Sequence, residues 1–307
     1  MSGARRAERP LRVAVTGATG FIGAALVPLL REAGHTVVRV SRGSGGDVRW
    51  DPDRGELDPR ALAGVDAAVH LAGENIGQRW TDERRRRIVE SRERGTGLLA
   101  RTLAALEPRP RVLVSVSGVN WYGDAGDAEV CETSPPGEGF LAEVTRIWEA
   151  AAEPARRAGI RVVHPRLGVV LHPDDGALAR MLPVFRLGLG GRLGGGRQWL
   201  SWVSRDDAAR ALRFLLEHDD LAGPVNVVAE PVRNEDFTRA LAGALHRPAP
   251  FVVPGLALKA VYGQMAEETL LGGQRASGDR LRAAGFEFRH ATIEGALRAM
   301  LGGESER

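Results

Sequence analysis

Lysine is all but missing from this chain: Lys259 is the only one among 42 lysines and arginines in 307 residues. Any chemistry that needs a lysine has one position to use. Tyrosine is nearly as scarce, with only Tyr122 and Tyr262, and Cys131 is the sole cysteine. One cysteine excludes an intramolecular disulfide and a cysteine-based metal site, and it fits a free thiol in a reducing cytoplasm. The seven histidines show no metal-ligand spacing, so no metal is expected, and neither a G-x-S-x-G nor a Walker pattern occurs. No apolar run is long enough to span a bilayer, and residues 1–10 (MSGARRAERP) lack an apolar h-region and read as a flexible tail. The net charge is only +3, and the arginines are spread over all the predicted helices. Its one dense run, Arg84 to Arg87, reads as a solvated helix face, so nucleic acid is not an expected partner.

What the chain does have is glycine at informative places. Val13-Ala14-Val15-Thr16-Gly17-Ala18-Thr19-Gly20-Phe21-Ile22-Gly23 sets three glycines, spaced G-x-x-G-x-x-G, between an apolar run and an apolar helical pattern. A phosphate reaches the first turn of a helix only where side chains are missing, and there unpaired N–H groups and the helix dipole favour an anion. Gly17 is expected to form the tight turn, Gly20 to admit a pyrophosphate, and Gly23 to let helix and strand pack closely. The second strand then ends in Val40-Ser41-Arg42, where an NAD-selective site places a carboxylate for the ribose 2′-hydroxyl. A hydroxyl and a guanidinium match a 2′-phosphate instead, which favours NADP.

Apolar runs alternate with helical patterns through the first 170 residues, which predicts an α/β fold, a Rossmann-type doubly wound parallel sheet. Strands are expected near 11–16, 36–41, 47–50, 66–72, 111–117 and 160–170, and helices near 21–33, 82–106 and 139–157. Segment 172–204 is dense in glycine and reads as connections and short elements. Helices follow near 205–218, 234–245, 255–271 and 291–301, with short strands near 225–228 and 250–253. The expected division is a tail at 1–10, an NADP-binding domain at 11–171 and a smaller C-terminal substrate lobe at 172–307, with 225–228 free to rejoin the main sheet. Asp206-Asp207 reads as a helix N-terminal cap and dipole partner. Gln198-Trp199-Leu200-Ser201-Trp202 and Met265-Ala266-Glu267-Glu268 are read either as packing or as lining for a substrate cavity.

The glycine motif, His70-Leu71-Ala72-Gly73, Ser115-Val116-Ser117, Tyr122-Gly123-Asp124 and Glu132-Thr133-Ser134-Pro135 together resemble the extended short-chain dehydrogenase/reductase family. A closer likeness is to its atypical branch of NAD(P)-dependent, sugar-nucleotide epimerase-like proteins. It is carried by Ala72-Gly73-Glu74-Asn75-Ile76, Trp148-Glu149-Ala150-Ala151, Arg166 to Leu171, Phe185 to Gly191, Gln198 to Trp202 and Asn234-Glu235-Asp236-Phe237-Thr238. The resemblance spans about residues 11–301. It implies cofactor contacts at the glycine turn (Gly17, Thr19, Gly20, Phe21, Ile22, Gly23), at Ser41 and Arg42, and at Leu71, Ala72, Gly73 and Glu74. Arg87 and Arg92 on the next helix, and Val170 after the sixth strand, are similar in placement to residues that meet the phosphates, ribose or nicotinamide.

In one respect the chain departs from that family. Typical members carry Tyr-x-x-x-Lys on the helix after the fifth strand, where the lysine's charge lowers the tyrosine pKa and holds the ribose. Here the residue four before Lys259 is Gly255, and Phe140 or Leu141 and Val144 or Thr145 stand at the matching helical places. Two readings follow. In one, an NADP-dependent oxidoreductase or epimerase-like enzyme acts on a small molecule, with Ser117 orienting a substrate oxygen and Tyr122 or a carboxylate such as Glu74 moving the proton. In the other, the protein binds NADP without turnover, as a regulatory module. Both place a soluble protein in the cytoplasm, off the membrane, with a homodimer open.

Overall fold

In the computed structural model, which describes residues 10–302, the first strand rises from Leu11 because Val13 and Val15 face one side of a sheet and Ala14 the other. That alternation divides the core. Val13 and Val15 pack with Leu26, Leu30, Leu212 and Leu215, whereas Ala14 packs with Leu98, Leu99, Leu103 and Leu113. A strand buried on both faces needs helices on both faces, and its residues read as a continuous apolar run. Most of the expected tail, residues 1–9, lies outside the described residues.

The main sheet contains β1 (Arg12–Thr16), β2 (Thr36–Ser41), β3 (Val48–Asp51), β4 (Glu56–Leu57), β5 (Ala67–His70), β6 (Val112–Ser115), β7 (Arg161–Leu167) and β8 (Gly223–Val227). Their order across the sheet is 8-7-6-5-1-2-3-4, parallel except for the β3–β4 edge. Ser117–Gly118 adds a short ninth strand beside β7. The order reverses between β1 and β5, and in doubly wound sheets the crevice beyond the strand ends at that point is where ligands sit. Register sets Thr16 opposite His70 there.

Helices α1 (Gly23–Glu32), α2 (Asp82–Ala104) and α3 (Phe140–Ala150) follow β1, β5 and β6. The Rossmann-type parallel sheet is therefore as the periodicity predicts, while several boundaries differ. The expected helix at 139–157 breaks in two, because Pro154 opens a separate short helix, Glu153–Arg157. The expected strand at 160–170 also breaks, after Leu167. Val169–His172 instead pairs with Trp202–Ser204. The stretch read as connections hides an eleven-residue helix, α4 (Gly176–Arg186). Pro183 inside it and the glycines after it obscured the pattern.

Beyond these lie α5 (Arg205–Glu217), α6 (Asn234–Ala244), α7 (Gly255–Tyr262) and α8 (Ile293–Leu301). The expected helix at 255–271 is interrupted at Gly263, whose φ of +61° ends α7. Leu178, Leu182 and Phe185 of α4 share a third apolar cluster with Trp202, Phe237, Leu241, Ile293 and Leu297. The start of α5 corrects another expectation. Ser204 is its cap, accepting from the Asp207 N–H at 3.1 Å. The Asp207 carboxylate turns away to accept the N–H groups of Arg289 and His290 at 3.0 and 2.8 Å. Among the described residues no helix is long and apolar enough to cross a membrane, and no side-chain cluster fit to hold a metal ion occurs.

Candidate functional site

The turn from β1 into α1 excludes side chains. Gly17 has φ of +67°, a region that disfavours any residue with a Cβ, and a Cβ there would stand 3.1 Å from the Leu71–Ala72 peptide. A Cβ at Gly23 would collide with the Gly17 carbonyl oxygen. No side chain caps α1 and no acidic residue lies in its first turn. The N–H groups of Ala24 and Leu26 bond back to the carbonyls of Gly20 (2.8 Å) and Ile22 (2.9 Å), which leaves those of Phe21, Ile22 and Gly23, at the turn itself, for an anion.

This turn forms one wall of a cleft of about 440 Å³ at the sheet's switch point, within the range of small-molecule sites. Gly17, Thr19, Gly20, Ser41, Arg42, Leu71, Ala72, Gly73 and Glu74 all line it. Phe21, Ile22, Gly23, Arg87, Arg92 and Val170 do not. Sequence reasoning missed Arg39, Trp50, Asp53 and Ser91, which also line it. The only signal for the first three is position: Arg39 lies on β2, Trp50 on β3 and Asp53 in the turn just after β3. Arg42 forms no ion pair among the described residues. Its neighbour Arg39 is clasped by Asp47 through Nε (3.1 Å) and Nη2 (2.9 Å), and that hydrogen-bonded pair lowers Asp47 to about 2.

The opposite wall hangs from Thr16. Its hydroxyl accepts the N–H groups of Leu71 (3.1 Å) and Ala72 (3.3 Å) and meets His70 Nδ1 at 2.7 Å. With two donors already on the oxygen, its own proton goes to Nδ1, which leaves the imidazole proton on Nε2. Nε2 is buried without a hydrogen-bond partner, beside the edge of Trp50. Burial, helped by the charge of Arg92, pushes His70 down from 6.5 to about 4. Between those values the unfolded chain takes up a proton that the folded chain refuses. Stability therefore falls as pH drops through that window, by about 3 kcal/mol from this group. Urea unfolding at intervals from pH 7 to 4 should show that loss in the native protein and a flatter profile in His70→Asn. Parallel profiles would refute it.

Arg92 is buried between α2 and α3. It lies over the Trp148 ring, with Cζ 4.6 Å from the centroid, and donates to the carbonyls of Glu74 (3.1 Å) and Ile88 (3.2 Å). Burial lowers its pKa to about 10 against the opposing charge of Glu74. A Cβ on Gly73 would rest 3.5 Å from its guanidinium carbon. Arg87 faces solvent and pairs with Glu83 at 2.7 Å. Val170 is half-buried in the short ladder, opposite Val203.

Ser117 and Tyr122, the expected catalytic pair, do not line the cleft. Each is 3% exposed. The Ser117 hydroxyl donates to Glu149 Oε1 at 2.7 Å. Arg166 grips the same carboxylate through Nε (2.8 Å) and Nη2 (2.9 Å), and its Nη1 donates to the Tyr122 oxygen at 3.1 Å. That phenol donates in turn to Asn226 Oδ1 at 2.8 Å. Burial holds its pKa above the ordinary 10 although Arg166 opposes this, so the phenol stays protonated at neutral pH. Of Phe140 or Leu141 and Val144 or Thr145, the residues expected at the tyrosine and lysine places, Phe140 is half-buried and the other three are buried, and the Thr145 hydroxyl donates to the Leu141 carbonyl at 2.6 Å. The N-terminus of α3 is held by Glu268, which accepts from the N–H groups of Phe140 (3.0 Å) and Leu141 (2.9 Å). Trp202 is fully buried and bonds to the Glu230 carbonyl.

The model of the NAD dependent epimerase/dehydratase family matches residues 13–228, and a domain of unknown function, DUF1731, matches residues 253–300. An epimerase family protein of Mycobacterium bovis, Mb2239, is 44% identical over 290 residues, covering 93% of this chain and 96% of its own. The crystal structure of human epimerase family protein SDR39U1 (isoform 2) with NADPH superposes with a TM-score of 0.87 at 36% identity, covering 95% of this chain and 99% of the human one. A nucleoside-diphosphate sugar epimerase from Corynebacterium glutamicum gives 0.80 at 35% identity, covering 98% of this chain and 60% of that one.

Proposed function

This chain belongs to the NAD dependent epimerase/dehydratase family, and on that premise we propose that its cleft binds NADP(H) in support of an oxidoreductase or epimerase-like reaction on a small molecule. The observation that carries the cofactor choice is Arg42, unpaired among the described residues and lining the cleft beside Ser41 at the end of β2. A guanidinium there suits a 2′-phosphate, and a carboxylate for a free 2′-hydroxyl is missing from that strand end. The SDR39U1 structure with NADPH supports the same choice.

The residues fit the group. The bare glycine turn and uncapped α1 would take the diphosphate, Ser41 and Arg42 the 2′-phosphate, and Leu71 to Glu74 the adenosine side of the cleft. Arg87 and Arg92 on α2 and Val170 complete the proposed cofactor set. Arg92 comes nearest the cleft, beside Gly73. When bound, the nicotinamide supplies hydride exchange. Ser117 and Tyr122 serve that reaction as a fixed hydrogen-bonded set behind Glu149 and Arg166, keeping the end of β6 in one arrangement. In this reading residues 11–171 hold the dinucleotide and 172 onward form the substrate lobe, which lends β8 back to the sheet. The lone cysteine fits a reducing cytoplasm, although the Arabidopsis relative is named as chloroplastic. Assembly as a homodimer belongs to the same proposal. The second reading, an NADP-binding module without turnover, draws on Tyr122, whose proton is held by burial.

Fluorescence titration tests the cofactor choice. NADPH should bind more tightly than NADH, and Arg42→Ala should weaken NADPH by about tenfold to a hundredfold while sparing NADH, the worth of one or two charge-assisted hydrogen bonds. Equal loss for both nucleotides would overturn it. Oxidation of bound NADPH across carbonyl compounds and sugar nucleotides separates the enzyme from the silent module.

A further inference from the structure

We propose that His172 and Arg205, which stand outside the lining of the cleft at the Phe21 corner of the glycine turn, form a second anion-receiving edge, adding side-chain donors to the free N–H groups just ahead of α1 for the diphosphate of the dinucleotide. This rests on the NADP reading above.

The placement follows from register. In the two-stranded ladder Val169 pairs with Trp202, Val170 with Val203 and Leu171 with Ser204. His172 and Arg205 therefore leave its carboxyl end together. Both meet Phe21, the residue after Gly20 in the glycine turn. The His172 ring stands edge-on to Phe21 with centroids 6.3 Å apart, and the Arg205 guanidinium carbon lies 5.8 Å from the Phe21 centroid. Gly176, with φ of +76°, closes the same corner, where a Cβ would come within 3.2 Å of the Phe21 ring.

Both polar groups are left with donors to spare. The Asp174 N–H donates to His172 Nδ1 at 3.2 Å, which puts the neutral ring's proton on Nε2. Nε2 makes no hydrogen bond among the described residues. Arg205 forms neither an ion pair nor a hydrogen bond among them, and its Nε is buried without an acceptor. Such a group is costly to leave unsatisfied, and ligand oxygens would relieve it. Acidic neighbours do not fill the need. Asp174 lies 3.7 Å from His172 Nδ1 and is mostly exposed, Asp175 accepts the Gly176 N–H at 2.6 Å, and Asp206 is exposed in the first turn of α5. The donors point to an oxyanion, and the adjoining uncapped helix start makes the diphosphate that oxyanion.

A pH dependence follows. Burial first, and Arg205 second, hold the His172 pKa below 6.5, with Asp174, Asp206 and Asp175 opposing. The ring is neutral at pH 7, and a bound diphosphate favours its cationic form. Affinity therefore rises as pH falls.

The test is NADPH titration of the full chain at pH 5.5, 7 and 8.5 for the native protein, His172→Gln, Arg205→Gln and Arg205→Lys, with thermal unfolding of each. Arg205→Gln should weaken binding about tenfold or more at every pH, and Arg205→Lys should fall between. The native to His172→Gln affinity ratio should grow severalfold from pH 8.5 to 5.5. The ligand's own titration cancels in that ratio. A folded Arg205→Gln within twofold of native, or a flat ratio, overturns the proposal while leaving the NADP reading intact. A native protein without NADPH affinity overturns both. If Arg205→Gln fails to fold, the lysine variant and the pH ratio decide.

Discussion

Asp207→Ala is expected to lower stability by about 3–5 kcal/mol, the scale for removing one partner of a buried ion pair. Asp207 is fully buried and serves several donors at once: the N–H groups of Arg289 and His290, and Arg210 Nη1 at 2.5 Å. His290 Nδ1 lies 3.6 Å away. One carboxylate therefore ties the approach to α8 onto the start of α5, and its loss strands two backbone donors together with a cation. Ser204→Ala, which removes the helix cap and the hydroxyl's 2.9 Å hydrogen bond with His290 Nδ1, should cost about 1–2 kcal/mol. Urea unfolding of both variants checks the contrast. A loss at Asp207 no greater than that at Ser204 would refute it.

The second large effect is expected at Arg166. Its side chain is 2% exposed, bonded twice to Glu149 and set over Trp121, with its guanidinium carbon 4.0 Å from the ring centroid. Burial alone would lower its pKa, but the bonds and charge of Glu149 outweigh this and raise it. Arg166→Met leaves the Glu149 carboxylate buried with only the Ser117 hydroxyl, and about 3–5 kcal/mol should be lost. Glu149→Gln should also destabilise. The double variant should recover much of the sum of the two losses, because neither partner is then left as an uncompensated charge. A double-mutant cycle by denaturant unfolding measures this, and additive losses would show that the pair does not act as a unit.

These two side chains also mark the limit of what the sequence discloses. The glycine turn is legible because its cause is local: Gly17 needs its positive φ, Gly23 needs its missing side chain, and both lie within one strand-turn-helix unit. Ser41 and Arg42 are legible for the same reason, since a strand end is found by counting from the turn. The Ser117 network is not. Glu149, Arg166, Tyr122 and Asn226 come from four separate elements, and no spacing in the chain announces that they meet. Asp207 differs for a related reason: its place at a helix start suggests a cap, whereas the two backbone N–H groups it accepts lie more than 80 residues away. The α4 helix was hidden by Pro183 and the neighbouring glycines, which imitate a loop until Leu178, Leu182 and Phe185 are seen to share one buried face. His172 and Arg205 likewise gain meaning only from the register that sets them side by side.

The central claim is that this cleft holds NADP(H) by its bare glycine turn and by Arg42. A crystal structure of the chain with NADPH tests it most directly. The account predicts the diphosphate over Gly20 at the start of α1 and the 2′-phosphate within hydrogen-bond distance of Arg42. A dinucleotide bound elsewhere, or a 2′-phosphate turned to solvent away from Arg42, would contradict it.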